Sequence, residues 1–146
     1  MDVEELVARE AIRDLVARYN ANADTGRFET VLELFAPDAV LELPDESFEG
    51  RPAIGEMFRS VRTRVVDSTP AGVRPHLRHF TATLQIDVDD ADHARSRCYF
   101  AVLMPHGLDH WGRYVDEFVR IDGRWHFARR CVTTDGRRAE GSPLAD

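Results

Sequence analysis

Two residues far apart in the sequence, Asp24 and His79, have the side chains needed for a general base. Asp24 stands where the first predicted helix ends, and the partial negative charge there disfavours a carboxylate by about 0.3 to 1 kcal/mol. An imidazole that donates its Nδ1 proton to Asp24 would compensate this cost and leave Nε2 of His79 free to remove a substrate proton. The alternative is structural: Asp24 caps the turn at residues 24–26, and His79 is a hydrogen-bonded core residue.

Five further residues could bind a substrate or transfer a proton: Tyr19, His106, His110, Tyr114 and Asp116. His106 or His110 could bind a substrate oxygen or protonate a leaving group, although the Pro-His-Gly turn signal around His106 is also typical of an exposed side chain. The two tyrosines are phenol donors, but Tyr19 also fits the apolar stripe of the first helix. Asp116 either pairs with an arginine or a histidine or serves as a second acid or base.

Strand alternation predicts which side chains share a face, because every second residue of a strand points to the same side. The face of His79 would carry Leu77, Thr81 and Thr83, and the face of His110 would carry Gly112, Tyr114, Asp116 and Phe118. A third run would form an apolar wall with His106 at its polar end: Cys98, Phe100, Val102 and Met104. Phe100 and Met104 are therefore candidate substrate contacts, and a core role is the alternative for Cys98, Phe100 and Val102.

The spacing of the six histidines gives no metal-binding motif. The close pairs are His76 with His79 and His106 with His110, and a three-residue offset on a strand directs His76 and His79 to opposite faces. Neither a Gly-x-Ser-x-Gly nucleophile motif nor a glycine-rich phosphate loop is present. We therefore expect no metal and no cofactor.

Charge and composition narrow the class of partner. The formal net charge is −7, which disfavours a surface that tracks nucleic-acid phosphates. The N-terminus is acidic, and no apolar run approaches the roughly 20 residues that span a bilayer, so secretion and membrane insertion are both disfavoured. Both cysteines, Cys98 and Cys131, lie in apolar runs as small hydrophobic residues would, which fits a reducing cytoplasm.

The elements that must position these residues follow from periodicity. One helical stripe predicts a long first helix that ends near Asp24: Ala8, Ile12, Leu15, Val16, Tyr19 and Ala23. A short second helix over about 28–34 should stop before Pro37, a strand should cover 39–43, and a third helix should cover about 51–66. Four long strands follow, over 77–88, 95–103, 110–121 and 125–134, with turn signals between them.

Helices followed by an antiparallel meander predict an α+β fold. We expect one domain over residues 1–136 and a flexible tail over 137–146, which is polar and contains Gly and Pro. On the last strand, neighbouring Arg129 and Arg130 should point to opposite faces, so that one of them needs a carboxylate such as Asp116 or Glu117. Three helices cannot cover the outer face of so long a sheet, and we therefore expect a homodimer or homotrimer.

The order and spacing of several strings resemble the SnoaL-like branch of the nuclear transport factor 2-like superfamily. The resemblance covers about residues 5–135, and its strings lie at 11–15, 23–24, 34–39, 78–80, 112–118 and 122–125. It implies a cone-shaped, cystatin-like fold, in which a curved antiparallel sheet surrounds a deep pocket closed by N-terminal helices. Because this superfamily includes dehydratases, isomerases, polyketide cyclases and inactive subunits, the fold alone does not settle function.

Scytalone dehydratase and lindane dehydrochlorinase resemble the chain most in their site pattern. Asp24 and His79 fall on the pocket aspartate and histidine of both, and His106 after Pro105 resembles a second histidine of scytalone dehydratase. The two tyrosines with which that enzyme polarises its substrate fall on Ala23 and Leu43, so scytalone itself is not the expected substrate.

These observations lead to a functional hypothesis with two alternatives. The first reading is a cofactor-independent lyase that acts on a small, apolar, carbonyl-bearing or cyclic metabolite through the Asp24–His79 dyad. An isomerase or polyketide cyclase would use the same proton abstraction. A non-catalytic binding or assembly module is the other alternative, and a pocket filled by side chains rather than open beside the dyad would favour it.

Overall fold

The computed structural model describes residues 1–140, which form three helices and six strands. In chain order these are α1 (Val3–Ala23), α2 (Phe28–Glu33), β1 (Phe35–Glu42), β2 (Ser47–Glu49), α3 (Gly50–Ser68), β3 (Arg78–Val88), β4 (His93–Met104), β5 (Gly107–Ile121) and β6 (Arg124–Arg137). The strands form one curved sheet in the order β2-β1-β6-β5-β4-β3. All neighbouring strands are antiparallel except β1 and β6, which are parallel. The predicted α+β fold is confirmed.

Helix α1 closes one side of the sheet with the stripe that the sequence predicts. Asp2 caps its N-terminus by accepting a hydrogen bond of 2.8 Å from the Glu5 amide. The predicted stripe residues from Ala8 to Tyr19 are buried. The helix ends at Asp24, and Gly26 follows with φ of 74°, a left-handed conformation that glycine adopts without steric cost. The first helix and its end were therefore predicted correctly.

The segment after α2 differs from the prediction. Strand β1 begins at Phe35, directly after the short helix, and contains Pro37 and Asp38, which were predicted to separate the two elements. Its pairing with β6 shifts register between Phe35 and Val40, and proline is tolerated at such an irregularity because it donates no ladder hydrogen bond. The short strand β2 was not predicted, since its three residues are too few to show alternation.

A bulge in β3 corrects the predicted face of that strand. The pairing with β4 shifts register between Ala82 and Gln85, and Thr83 lies in the bulge with φ of 57°. The extra residue reverses alternation after Ala82, so that Ile86 is buried whereas Thr83 is exposed. Thr81 precedes the bulge and pairs with Phe100, so it keeps the face of His79, whereas the prediction that Thr83 shares this face was wrong. The faces of β4 and β5 follow the predicted alternation from Cys98 to Met104 and from Gly112 to Phe118.

Strand β6 extends past its predicted end at Thr134. Gly136 pairs with Trp111 and Arg137 pairs with His110, so the strand continues to the rim of the sheet. Arg137, which was assigned to a flexible tail, is the last residue of this strand. Residues 141–146 of that predicted tail lie outside the described residues.

The main core lies between the helices and the concave face of the sheet. Its fully buried members include Ile12, Phe35, Ile54, Phe118 and Phe127. A second buried cluster of Cys98, Phe100, Val102, Met104 and Tyr114 lies toward the other end of β4 and β5. Within residues 1–140, no helix has the length and apolar character that crossing a membrane requires.

Candidate active site

Asp24 and His79 meet although 55 positions separate them. The Nδ1 atom of His79 lies 2.6 Å from Oδ1 of Asp24, and the backbone N–H of His79 donates to Oδ2 at 2.8 Å. Asp24 closes α1 through its own amide, which donates to the carbonyl of Asn20 at 2.9 Å. The Asp24 side chain is 7% exposed and the His79 side chain 16% exposed. The hydrogen bond expected from the sequence is therefore present, at the junction of α1 with the first residues of β3.

The hydrogen bonds define the tautomer of His79. An ionised carboxylate can only accept hydrogen bonds, so the short contact to Asp24 requires the proton on Nδ1 of His79. The second bond, from the backbone of the same residue, holds the carboxylate and prevents its rotation. In the neutral ring Nε2 is then an acceptor, which is the form that a general base needs.

His79 lines a cavity of about 590 Å³ that opens between α1, α3 and the concave face of the sheet. Its polar wall includes Tyr19, His79, His110, Tyr114, Thr134 and Arg137. Its apolar wall includes Ala23, Leu43, Met57, Phe58, Leu77 and Phe100. A site of this volume, apolar with a few convergent polar groups, is typical of pockets for small organic molecules.

Phe100 lies near both histidines of the cavity. Its ring centroid lies 6.2 Å from that of His79 and 5.9 Å from that of His110, and the ring stacks on Tyr114 at 4.6 Å. A ligand placed against Phe100 would therefore be close to both imidazoles. Burial raises the pKa of both cavity tyrosines, Tyr19 and Tyr114, which keeps the phenols protonated as hydrogen-bond donors.

The second cavity histidine, His110, belongs to a group that the sequence did not reveal. Its Nδ1 lies 2.7 Å from Oδ2 of Asp109, and Nε2 of His106 lies 2.8 Å from Oδ1 of the same carboxylate. Asp109 is fully buried. Burial is the main reason why the pKa of His110 lies below its ordinary value, and nearby His79 and Arg137 act in the same direction, while Asp109 opposes them. Ideal alternation would have placed Asp109 on the face opposite His110, so no signal pointed to it.

Asp116 forms a buried ion pair, as the sequence analysis anticipated. Its two carboxylate oxygens each accept a hydrogen bond of 2.8 Å from Arg130, and both side chains are fully buried. The Arg130 guanidinium carbon lies 4.2 Å from the ring centroid of Tyr19 and 3.9 Å from that of Tyr114. Burial disfavours the charge of Arg130, but Asp116 outweighs it and the pKa is raised. The ion pair therefore packs behind Tyr19 and Tyr114, two residues of the cavity wall.

Neighbouring Arg129 faces the other side of β6, as predicted. It is partly exposed and donates to Glu42 at 2.7 and 2.8 Å. Three predicted site residues lie outside the cavity lining: His106 is partly exposed at the turn before β5, and Met104 and Asp116 are buried. In the described part of the chain, no three His, Cys, Asp or Glu side chains converge in the way a metal ion needs.

The chain is similar to a known domain family and to several solved structures. The model of a SnoaL-like domain family matches residues 4–131. By sequence, the chain matches none of the curated proteins. Rv3472 from Mycobacterium tuberculosis, a protein of unknown function, is 27% identical with a TM-score of 0.78, and the match covers 90% of this chain and 74% of that one.

Two similar structures carry names of elimination enzymes. A candidate scytalone dehydratase from Novosphingobium aromaticivorans has a TM-score of 0.80 at 21% identity, over 97% of this chain and 93% of that one. A hexachlorocyclohexane dehydrochlorinase, LinA-type3 from Novosphingobium barchaimii, has a TM-score of 0.78 at 17% identity, over 94% and 93%. At these identities the likeness is one of fold.

Proposed function

The chain belongs to the SnoaL-like domain family, and we propose that it is a cofactor-independent lyase that acts on a small, apolar, carbonyl-bearing or cyclic metabolite. The observation that carries this proposal is the Asp24–His79 hydrogen bond of 2.6 Å beside an open cavity of about 590 Å³. A filled cavity would have favoured a binding module. An oriented imidazole with a free Nε2 facing an apolar cavity is instead the arrangement of a general base.

The reaction begins when Nε2 of His79 removes an acidic C–H proton from the bound substrate. The imidazolium that forms is stabilised by Asp24, which is already hydrogen-bonded to Nδ1. Tyr114, whose ring stacks on Phe100 in the cavity wall, is placed to donate a hydrogen bond to the oxygen or the leaving group on which negative charge develops. A base of this kind contributes about 10²- to 10⁴-fold to the rate.

The structural neighbours named for loss of water and of hydrogen chloride support an elimination, because both reactions start with removal of a C–H proton. An isomerase or a polyketide cyclase would use the same first step and differ in where the electron pair moves next. The three reactions share proton abstraction by His79, and elimination is the outcome that we propose here.

Exchange of substrate C–H protons with D₂O tests the common first step. The purified protein would be incubated in D₂O with a panel of cyclic ketones, hydroxyketones and chlorinated rings, and mass spectrometry would follow deuterium uptake and loss of water or chloride. We expect exchange with at least one compound, and His79→Ala should slow it by about 10²- to 10⁴-fold. The matched control is His93→Ala, because His93 pairs with Asp90 at 2.9 Å on the surface, far from the cavity lining.

Two outcomes would contradict the proposal. Exchange that persists in His79→Ala would show that another group removes the proton. A compound that binds in the cavity without any exchange would favour the binding module, for which the open cavity would serve as a ligand site.

We also propose that the protein acts in the cytoplasm. The support comes from Cys98 and Cys131, which are both free thiols. Cys98 is buried and burial raises its pKa to about 11, so it is a structural and not a reactive thiol.

A further inference from the structure

Asp109 holds two histidines that differ in their access to solvent. The carboxylate is fully buried, the His110 side chain is 15% exposed and lines the cavity, and the His106 side chain is 27% exposed and lies outside the cavity lining. The contacts of 2.7 and 2.8 Å use both oxygens of Asp109. One carboxylate therefore connects a histidine at the surface with a histidine in the cavity.

We infer that Asp109 is a positioning residue that orients the His110 ring with its Nδ1 proton on the carboxylate and Nε2 toward the cavity, and that it couples the charge of His110 to that of His106 outside. The inference rests on the proposed function, since it gives His110 a defined form in the same site. His79 is the base of the proposed reaction, and His110 gives the cavity a second imidazole acceptor.

The tautomer of His110 follows from its partner. Asp109, when ionised, accepts a hydrogen bond at each oxygen, so Nδ1 of His110 and Nε2 of His106 both carry protons. His110 then presents the lone pair of Nε2 to the cavity. Such a group accepts a hydrogen bond, so the substrate should have a hydroxyl or another donor that faces His110 on β5, while the carbon that His79 deprotonates lies toward β3.

The coupling has a definite sign. A proton added to His106 places a positive charge against Asp109 and compensates the charge that would otherwise favour protonation of His110. Protonation of either histidine therefore disfavours protonation of the other. The charged or titratable groups around His110 and the cavity are Asp109, His106, Tyr114, His79, Arg137, Tyr19, Arg64, Asp45 and Glu46.

The position of Asp109 itself is fixed by backbone contacts at the rim of the sheet. Its carbonyl oxygen accepts a hydrogen bond of 2.7 Å from the amide of Arg138, just beyond the end of β6. His110 pairs with Arg137 in the register of β5 with β6. The carboxylate is thus held at the point where the cavity meets the outer turn.

Nuclear magnetic resonance of the histidine rings tests the inference without any substrate. In the unmodified protein, ¹⁵N shifts should show His110 with a protonated Nδ1 and an unprotonated Nε2 at neutral pH. His106→Gln should raise the midpoint of His110 titration by about 1 pH unit, the scale of interacting sites. Asp109→Asn should move the His110 proton from Nδ1 to Nε2, because the amide can donate to Nδ1. His93→Gln is the control and should leave His110 unchanged, since His93 pairs with Asp90 on the surface.

His106→Gln keeps the test decisive if Asp109→Asn does not fold, because His106 lies at a partly exposed turn. A His110 titration that is the same in His106→Gln as in the unmodified protein would overturn the coupling. A His110 ring with its proton on Nε2 would overturn the positioning role. Either result would leave the proton abstraction by His79 untouched, since that is measured separately by deuterium exchange.

Discussion

Two of the buried carboxylate pairs, Asp116 with Arg130 and Asp24 with His79, differ in what surrounds them. Asp116 and Arg130 are both fully buried and are joined by two hydrogen bonds of 2.8 Å, beneath the rings of Tyr19 and Tyr114. Asp24 and His79 are closer, at 2.6 Å, but the imidazole borders an open cavity and its Nε2 is not bound by Asp24. Protein atoms enclose the whole first pair, whereas the imidazole of the second pair lines the cavity.

This difference indicates a structural role for Asp116 and Arg130 and a catalytic role for Asp24 and His79. A buried ion pair that is enclosed by protein can hold elements in register but has no reactive atom to offer. A pair with one free nitrogen at a cavity can accept a proton from a ligand. The prediction that Asp116 pairs with an arginine is confirmed, whereas its alternative role as an acid or base would need access that the structure does not give it.

The largest effect on stability is expected where the closed pair is broken. Arg130→Met should lower the free energy of unfolding by about 3 to 5 kcal/mol, because Asp116 is left as a buried charge without its partner. Urea denaturation measures this loss. Adding Asp116→Leu to the same variant should recover much of it, because two packed apolar residues can replace a buried ion pair. A double variant no more stable than Arg130→Met would contradict this account.

A smaller effect on stability is expected at the open pair. Asp24→Asn removes a charge-assisted hydrogen bond worth about 1.5 to 3 kcal/mol, but it also relieves a carboxylate at a helix C-terminus, which returns about 0.3 to 1 kcal/mol. The net loss in urea denaturation should therefore be about 1 to 2 kcal/mol. The amide group can donate to Nδ1 of His79, which moves the ring proton to Nε2 and removes the base.

Deuterium exchange of a reactive compound should consequently fall far more in Asp24→Asn than stability does. If activity falls only as much as the amount of folded protein, Asp24 and His79 have a structural role, as Asp116 and Arg130 do.

Assembly involves a third region, the outer face of the sheet, and we propose that it binds a second copy of the chain. Phe80 is 61% and Tyr99 is 58% exposed on neighbouring strands there, and an apolar surface of this kind favours association. Phe80→Glu with Tyr99→Glu should reduce the mass measured by light scattering to that of a monomer, with a change of less than about 0.5 kcal/mol in monomer stability. Val7→Glu, an equally exposed change on α1, is the control; a protein that is monomeric before any substitution would refute the proposal.

The smallest effect is expected for the reactivity of Cys98, a thiol that probes solvent access to the region around Asp116 and Arg130. Cys98 lies in the buried cluster near Arg130, and burial raises its pKa to about 11, so its thiolate is scarce at neutral pH. In a Cys131→Ser variant, the remaining thiol should react with a disulfide reagent only as fast as the protein unfolds. Rapid reaction of folded protein would show that solvent reaches the region beside the closed pair.

Much of the framework was predictable because it rests on local periodicity. The stripe of α1 and its end at Asp24 follow from side chains three and four residues apart, and the alternation in β4 and β5 follows from the period of two. The opposite directions of Arg129 and Arg130 follow from the same rule. These features depend on neighbours along the chain, so the sequence alone determined them.

The tertiary structure decided what depends on register and on distant contacts. The bulge at Thr83 turned part of β3 over, and irregular pairing at the rim of β5 brought Asp109 to His106 and His110. The meeting of Asp24 with His79 was anticipated from a resemblance and from the electrostatics of a helix end, but its distance of 2.6 Å is set by the packing of α1 against β3. Alternation gives the side of a strand on which a residue lies only while pairing is regular, and a single extra residue reverses it.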